Sequence, residues 1–435
     1  MPQNAEAVSR PHLKVTVDNV CELYYHFHKQ YSFQRSKMKS KTKAGIISAI
    51  NVALCGLFIM CACNSGDKFD WILSDIGSGV NFHTQTQTYY LNEPKPENTD
   101  DLGSFNNYNI KNYAKGDKEL SRPEAIHFEW SATPVGQTDT TGVQYTLELY
   151  TTNFTSPEVY YSTNQTEIDV YNLYVGADYK WRVTAELPNG EKSVSDWAKF
   201  STDGAAPRNL YVDGVTNVRD LGGWKTTDGK TVKQGMIIRC GRLNKSETTN
   251  YTVEITEDGV DTMLNVLGVR SEIDLRSPTK HNNEAGGITQ ENAPLTQGGV
   301  IYRNFAMEWN VTNMLTDKGN QEQIRNIFEF LADKDNYPVI YHCNIGTDRT
   351  GLIAILVNGL LGVTEADLYR DYLFSNFGNI NTGGNPRTVN NISKYIETIK
   401  SYEGESFSEK VENCLIKLVN VDPDHIDSIR ELMLY

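Results

Sequence analysis

Between about residues 121 and 203, apolar side chains fall at every second position. Ile126-His-Phe-Glu-Trp130, Tyr145-Thr-Leu-Glu-Leu-Tyr150, Glu167-Ile-Asp-Val170 and Tyr179-Lys-Trp-Arg-Val-Thr-Ala185 alternate in this way, separated by Gly, Asn, Thr and Pro. A strand whose apolar residues recur with period two buries one face, so the stretch predicts a β-sandwich. From residue 205 onward the period lengthens. Ile324, Ile327, Phe328 and Leu331 share one face of a helix expected from Gln321 to Leu331. Further helices are expected at about 247–267, from Thr364, and at about 387–401, 405–420 and 423–433. Short apolar runs between them, Ile237 to Leu243, Val269 to Arg276, Val300 to Arg303 and Val339 to Tyr341, read as strands. Few strands among many helices predict a central, mostly parallel sheet flanked by helices. The expected architecture is multidomain: an all-β sandwich over 121–203, then an α/β domain over 205–435.

Two stretches follow neither period. Residues 64–120, rich in Asn, Thr, Asp and Tyr, read as a spacer with a linker at Pro94 to Asp101 and a strand at Thr88-Tyr-Tyr-Leu91. Residues 279–322 are loop-rich, with Gly286-Gly287 and Gly298-Gly299, and are expected to wall a ligand site.

Residues 44–62 form an uncharged run behind Lys37, Lys39, Lys41 and Lys43. A basic region, an apolar core and a small-residue cleavage site describe a secretory signal peptide over 38–63. Met60-Cys61-Ala62-Cys63 resembles a bacterial lipobox, which implies acylation of Cys63, a lipid anchor in the membrane and an extracytoplasmic place in the bacterial cell envelope. An uncleaved membrane anchor is the competing reading, since the run nearly suffices to span a bilayer. Residues 1–37 then stand either upstream of a start at Met38 or as a cytoplasmic tail.

Charge narrows the partners. Beyond Cys63, 33 Lys and Arg stand against 52 Asp and Glu, a net charge of −19. Such a body repels polyanions at long range, which argues against nucleic acid and acidic membrane surfaces and makes anion binding a local matter.

Candidate chemistry sits where the run Pro338-Val-Ile-Tyr-His-Cys343 ends. Five residues separate Cys343 from Arg349, Gly346 lies between them, and Thr350-Gly351 leads into an apolar run to Leu361. The order is strand, tight loop, helix. Loop amides and the helix N-terminus make a cradle for a dianion, Arg349 adds a planar fork of donors, and the same positive field favours a thiolate at Cys343. A sulfur that attacks phosphorus needs the other phosphate oxygens held at the same time, so nucleophile and Arg bracket one small loop. With Cys63 acylated and Cys343 given to this chemistry, Cys240 and Cys414 leave no disulfide framework and read as core residues. A Cys240–Cys343 redox pair is the lesser alternative.

His342-Cys343-Asn-Ile-Gly-Thr-Asp-Arg-Thr-Gly351 resembles the signature loop of cysteine-dependent protein tyrosine phosphatases. Asp348 before the Arg resembles their tyrosine/serine branch, atypical dual-specificity enzymes that include phosphoinositide-directed ones. Asn217-Val-Arg-Asp-Leu-Gly-Gly223, Ile273-Asp-Leu-Arg-Ser277 and Asp371-Tyr-Leu-Phe-Ser-Asn376 fit that branch in the same order, over about residues 205–435. The resemblance implies hydrolysis of a phosphorylated substrate through a phosphocysteine, with no metal or other cofactor. It implies phosphate contacts from Asn344, Ile345, Gly346, Thr347, Arg349 and Gly351, orientation by His342, and a hydroxyl from Thr350 to the sulfur. Asp348 is the expected proton donor and Asp274 the runner-up, with Glu308 or Asp317 serving if the acid sits on a separate loop. Arg219 and Asp220 are expected to contact substrate or to brace a turn. Where the branch often has Lys, Thr347 offers a hydroxyl, which weakens a polyphosphoinositide reading. Phosphotyrosine, other phosphomonoesters and inositol phosphates stay open. The sandwich resembles a fibronectin type III-like domain through Trp130, Leu173 before Tyr179-Lys-Trp181, and Trp197 to Thr202. The rival reading is a non-catalytic envelope lipoprotein that binds phosphorylated or glycan ligands.

Overall fold

Alternating side chains build the first half of the computed structural model, which describes residues 68–95, 110–136, 139–153, 159–244, 254–278 and 288–435. The segments 1–37 and 38–63, with Cys63, lie outside the described residues. Eight strands come first: β1 (Phe69–Leu73), β2 (Ile126–Pro134), β3 (Gln144–Thr151), β4 (Val159–Thr163), β5 (Glu167–Val170), β6 (Asp178–Glu186), β7 (Lys192–Val194) and β8 (Ala198–Ser201). They form two antiparallel sheets, β1-β2-β5 and β4-β3-β6-β7, with β8 on β6. Phe128 and Trp130 of one sheet share a core with Leu147, Trp181 and Val183 of the other. Phe128 and Trp181 meet edge to face at 5.0 Å, a favoured aromatic geometry.

The expected spacer is corrected in its described part. β1 pairs with β2 from Phe69 opposite Pro134 to Leu73 opposite Trp130. The strand expected at Thr88 to Leu91 is a helix, α1 (Gln85–Leu91). Thr84 and Gln87 close a capping box, and burial of Tyr90 and Leu91 overrides the strand preference of Thr-Tyr-Tyr. Tyr90, Ile110 and Ala114 belong to the core of the α/β part, with the Tyr90 ring 5.6 Å from that of Phe377.

That part holds β9 (Arg219–Asp220), β10 (Ile237–Cys240), β11 (Ser271–Asp274), β12 (Ile301–Asn304) and β13 (Val339–His342) in the order β12-β11-β13-β10-β9. The first four are parallel and β9 is antiparallel. Its helices are α2 (Glu257–Asp261), α3 (Lys318–Leu331), α4 (Asp348–Leu360), α5 (Glu365–Phe374), α6 (Ser393–Lys400), α7 (Phe407–Cys414) and α8 (Pro423–Met433). Ile237, Ile273, Val339 and Tyr341 face the larger core, while Ile238, Cys240 and Ile340 face a smaller one with Leu210 and Met263. Helix α4 is buried from Arg349 to Leu360, as a helix apolar all round must be. Cys240 and Asp274 both pair in register with His342, so β10, β11 and β13 deliver their C-terminal ends to one edge, where ligands sit in open α/β sheets.

Candidate active site

Cys343 is the first residue after β13, and α4 begins at Asp348. The bend between them depends on Gly346, whose φ is 69°; a Cβ there would lie 2.4 Å from the Cys240 carbonyl oxygen. The loop is gripped by its carbonyls. Asn217 Nδ2 donates to Ile345 O at 3.2 Å and to Gly346 O at 3.0 Å, Arg239 Nη2 donates to Gly346 O at 2.9 Å, and the Arg242 amide donates to Asn344 O at 3.2 Å. Because a trans peptide points its C=O and N–H in opposite directions, carbonyls held from below turn the following amides toward the mouth.

Below the loop, one carboxylate bridges two guanidiniums. Asp371 accepts from Arg219 Nε at 2.7 Å and Arg239 Nη1 at 2.6 Å, and Arg219 Nη1 donates to Asn217 Oδ1 at 2.5 Å. Burial, with Arg239 beside it, lowers Arg219 to about 10 although Asp371 opposes the shift. Burial of Asp371 favours its neutral form, but the two guanidiniums outweigh this and hold it below the usual carboxylate range. Arg219 and Asp220 therefore do not contact substrate. Arg219 is 1% exposed, and fully buried Asp220 takes Arg208 Nη1 at 2.9 Å and the amides of Gly222 and Gly235. Ser121, just past the expected spacer, contributes too: its hydroxyl accepts from the Asn217 amide at 3.2 Å.

Behind Cys343 lies a buried polar cluster. His342 Nε2 is 3.0 Å from Glu272 Oε1, and its Nδ1 is 3.3 Å from Cys343 O. Asp274 accepts from the amide, Nε and Nη2 of Arg276 and from the Tyr302 hydroxyl. Burial raises its carboxyl, but Arg276 and then His342 reverse this and hold it far below the ordinary range. Both of its oxygens are committed to Arg276 and Tyr302 in a side chain 2% exposed, whereas the side chain of Asp348 is 26% exposed. Burial, with Glu272 and Cys343 nearby, pushes the Cys240 thiol well up.

At the mouth, Arg349 Nη1 donates to Leu275 O at 3.1 Å and Met307 O at 3.2 Å, which fixes the guanidinium beside the loop. Thr350 Oγ1 is buried without a hydrogen-bond partner, and Thr347, also buried, turns its hydroxyl to Ile345 O at 3.3 Å. Thr347 therefore offers no side-chain hydroxyl to substrate. Gly351 lets the loop pack against Tyr372, whose ring a Cβ would meet at 2.8 Å. Asp348 is held by Arg387, Nε to Oδ1 and Nη2 to Oδ2 at 3.1 Å each, and by the Tyr372 hydroxyl at 3.3 Å. Asp317 caps α3 by accepting from Asn320 N. Glu308 is exposed, its amide and carbonyl both bonded to the Asn320 side chain.

Sequence reasoning missed Glu272, Asn217 as loop holder, and Arg387. A charged residue inside the buried strand Ser271–Asp274 was a signal for the first; nothing in the Gly/Asn stretch before Arg387 marked the last.

Comparison with known proteins finds residues 210–434 matching a family described as the tyrosine phosphatase family. A protein of Cupriavidus necator that carries a tyrosine-protein phosphatase name is 28% identical over 182 residues, 39% of this chain and 63% of its own length. A tyrosine-protein phosphatase of Nostoc commune is 38% identical over 56 residues, 13% of this chain and 19% of its own. The chain covers less than two thirds of the length of either relative. Among solved structures, the core catalytic domain of the PP-IP phosphatase Siw14 from Saccharomyces cerevisiae, in complex with citrate, is similar at 18% identity and a TM-score of 0.24 over 34% of this chain and 76% of that one.

Proposed function

The chain belongs to the tyrosine phosphatase family, and on that premise we propose that it hydrolyses phosphomonoesters, of phosphotyrosine or dual-specificity type, through a phosphocysteine on Cys343. One observation carries the proposal: a cysteine between a parallel strand and a buried helix, in a loop whose Asn344, Ile345 and Gly346 carbonyls are drawn backward, with Arg349 fixed at its rim. A phosphate dianion binds the amides of residues 344–349 and the α4 N-terminus, while Arg349 orients it. The Cys343 sulfur attacks phosphorus, and Asp348 gives its proton to the leaving oxygen as the P–O bond breaks. Asp348 then takes a proton from the water that attacks the phosphocysteine, and the S–P bond breaks. The Thr350 hydroxyl, unpartnered at rest, is available to the departing sulfur.

Turnover of p-nitrophenyl phosphate that disappears in Cys343→Ser supports the proposal; equal turnover in that variant refutes it. Asp348→Asn is expected to lose ~10²–10⁴-fold in rate on phenyl phosphate. If Glu308→Gln shows that loss and Asp348→Asn does not, the acid is Glu308. A screen of phosphotyrosine peptides against inositol phosphates selects the substrate class. From the sequence alone, we also propose lipid anchoring at Cys63 in the bacterial envelope and a fibronectin type III-like identity for 121–203. A lipid-sized mass increment on the peptide that begins at Cys63 tests the anchor.

A further inference from the structure

Arg387 lies outside every motif the sequence singles out, yet its guanidinium closes on Asp348 with two contacts of 3.1 Å. Its root is fixed. The Arg387 amide donates to Asn376 Oδ1 at 2.7 Å, its carbonyl accepts from Asn376 Nδ2 at 3.0 Å, and Asn376 is fully buried. The tip is not, for the side chains of Arg387 and Asp348 are 29% and 26% exposed, and an ion pair open to water exchanges partners readily. Burial works against the Arg387 charge, but Asp348, Tyr372 and Cys343 favour it, so the guanidinium stands in the field of the nucleophile as well as that of the acid. The Asp371–Asn376 segment thus does two things: Asp371 secures the arginines under the loop, and Asn376 roots a further arginine above it.

Resting on Asp348 as the proton donor, we propose that Arg387 is a substrate-responsive arm: it holds Asp348 in the free protein and passes to an oxygen of the phosphomonoester when the cradle fills. A dianion arriving in the loop attracts the guanidinium more strongly than one carboxylate does. As Arg387 leaves, Asp348 loses its cation and gains a negative neighbour, and both changes favour its protonated form. The proton comes from solvent, goes to the leaving oxygen as the S–P bond forms, and is replaced from the hydrolytic water. Among the described residues, Tyr372 of α5 and Tyr395 of α6 also face Asp348; burial raises both phenols, and neither supplies a cation.

The test uses the full chain, with Arg387→Gln and Arg387→Lys. Inhibition by inorganic phosphate and the pH dependence of kcat/KM on phenyl phosphate, which reports the free enzyme, are measured in parallel. Arg387→Gln is expected to weaken phosphate inhibition about tenfold or more and to move the alkaline limb of kcat/KM to higher pH by about one unit, while Arg387→Lys recovers much of the inhibition. Phosphate inhibition within twofold of the wild type in Arg387→Gln overturns the arm. Normal turnover by Asp348→Asn instead overturns Asp348 as the acid, and the phosphate measurement then still judges Arg387 by itself.

Discussion

Glu272 Oε1 lies 3.0 Å from His342 Nε2 in the buried layer behind the Cys343 loop, and Glu272 Oε2 has no partner. The other ring nitrogen faces the Cys343 carbonyl at 3.3 Å, so Glu272 orients an imidazole that touches the backbone of the nucleophile. Glu272→Gln is expected to slow alkylation of Cys343 by iodoacetamide at a fixed pH. In a His342→Asn background the same change adds no further slowing; an additive effect would mean that Glu272 acts by another route.

The cysteines should separate cleanly by reactivity. Burial raises the Cys240 thiol well above its usual value and pushes Cys414 up to about 12, so both are protonated at neutral pH. Peptide mapping after brief alkylation at pH 7 is expected to find label on Cys343 and none on Cys240 or Cys414. Equal labelling of Cys240 would contradict the buried placement.

Asp371 bridges Arg219 and Arg239 below Gly346, and breaking a buried pair strands charge. Asp371→Asn is expected to cost about 3–5 kcal/mol in denaturant titration and to abolish turnover by loosening the loop. The depressed carboxyls of Asp371 and Asp274 contribute stability that is whole above the unfolded value of about 3.9 and lost as pH falls toward their folded values. Asp220, raised by burial, works in the opposite sense. Acid destabilisation below about pH 4 should therefore be steeper in the wild type than in Asp371→Asn, which urea midpoints at several pH values will show.

Trp309 is 46% exposed, two residues beyond the Met307 carbonyl that Arg349 grips, on a segment whose backbone Asn320 clamps. A rigid, exposed ring there can stack on an aromatic leaving group. Trp309→Ala is expected to raise KM for phenyl phosphate about 2–10-fold with kcat unchanged, and to leave phosphate inhibition alone. A fall in kcat at constant KM would place Trp309 elsewhere in the reaction.

The amino-acid order alone determined whatever one short piece of chain can specify. Cys343, Gly346 and Arg349 are read from their spacing because a single loop carries them, α3 from the periodicity the helix contains within itself, and α4 from its unbroken apolar run. Burial overruled such local signals at Thr88 to Leu91, where a cap and a packed Tyr90 turned a strand-like run into helix. Counter-charges were beyond local reading altogether. Arg219 meets Asp371 across 152 residues, His342 meets Glu272 across 70, and Asp348 meets Arg387 across 39. An ion pair carries no sequence spacing of its own; only the folded sheet and helices decide which of many acids and bases come within about 3 Å, and those choices separate the carboxylate proposed to give a proton from those that hold the loop in place.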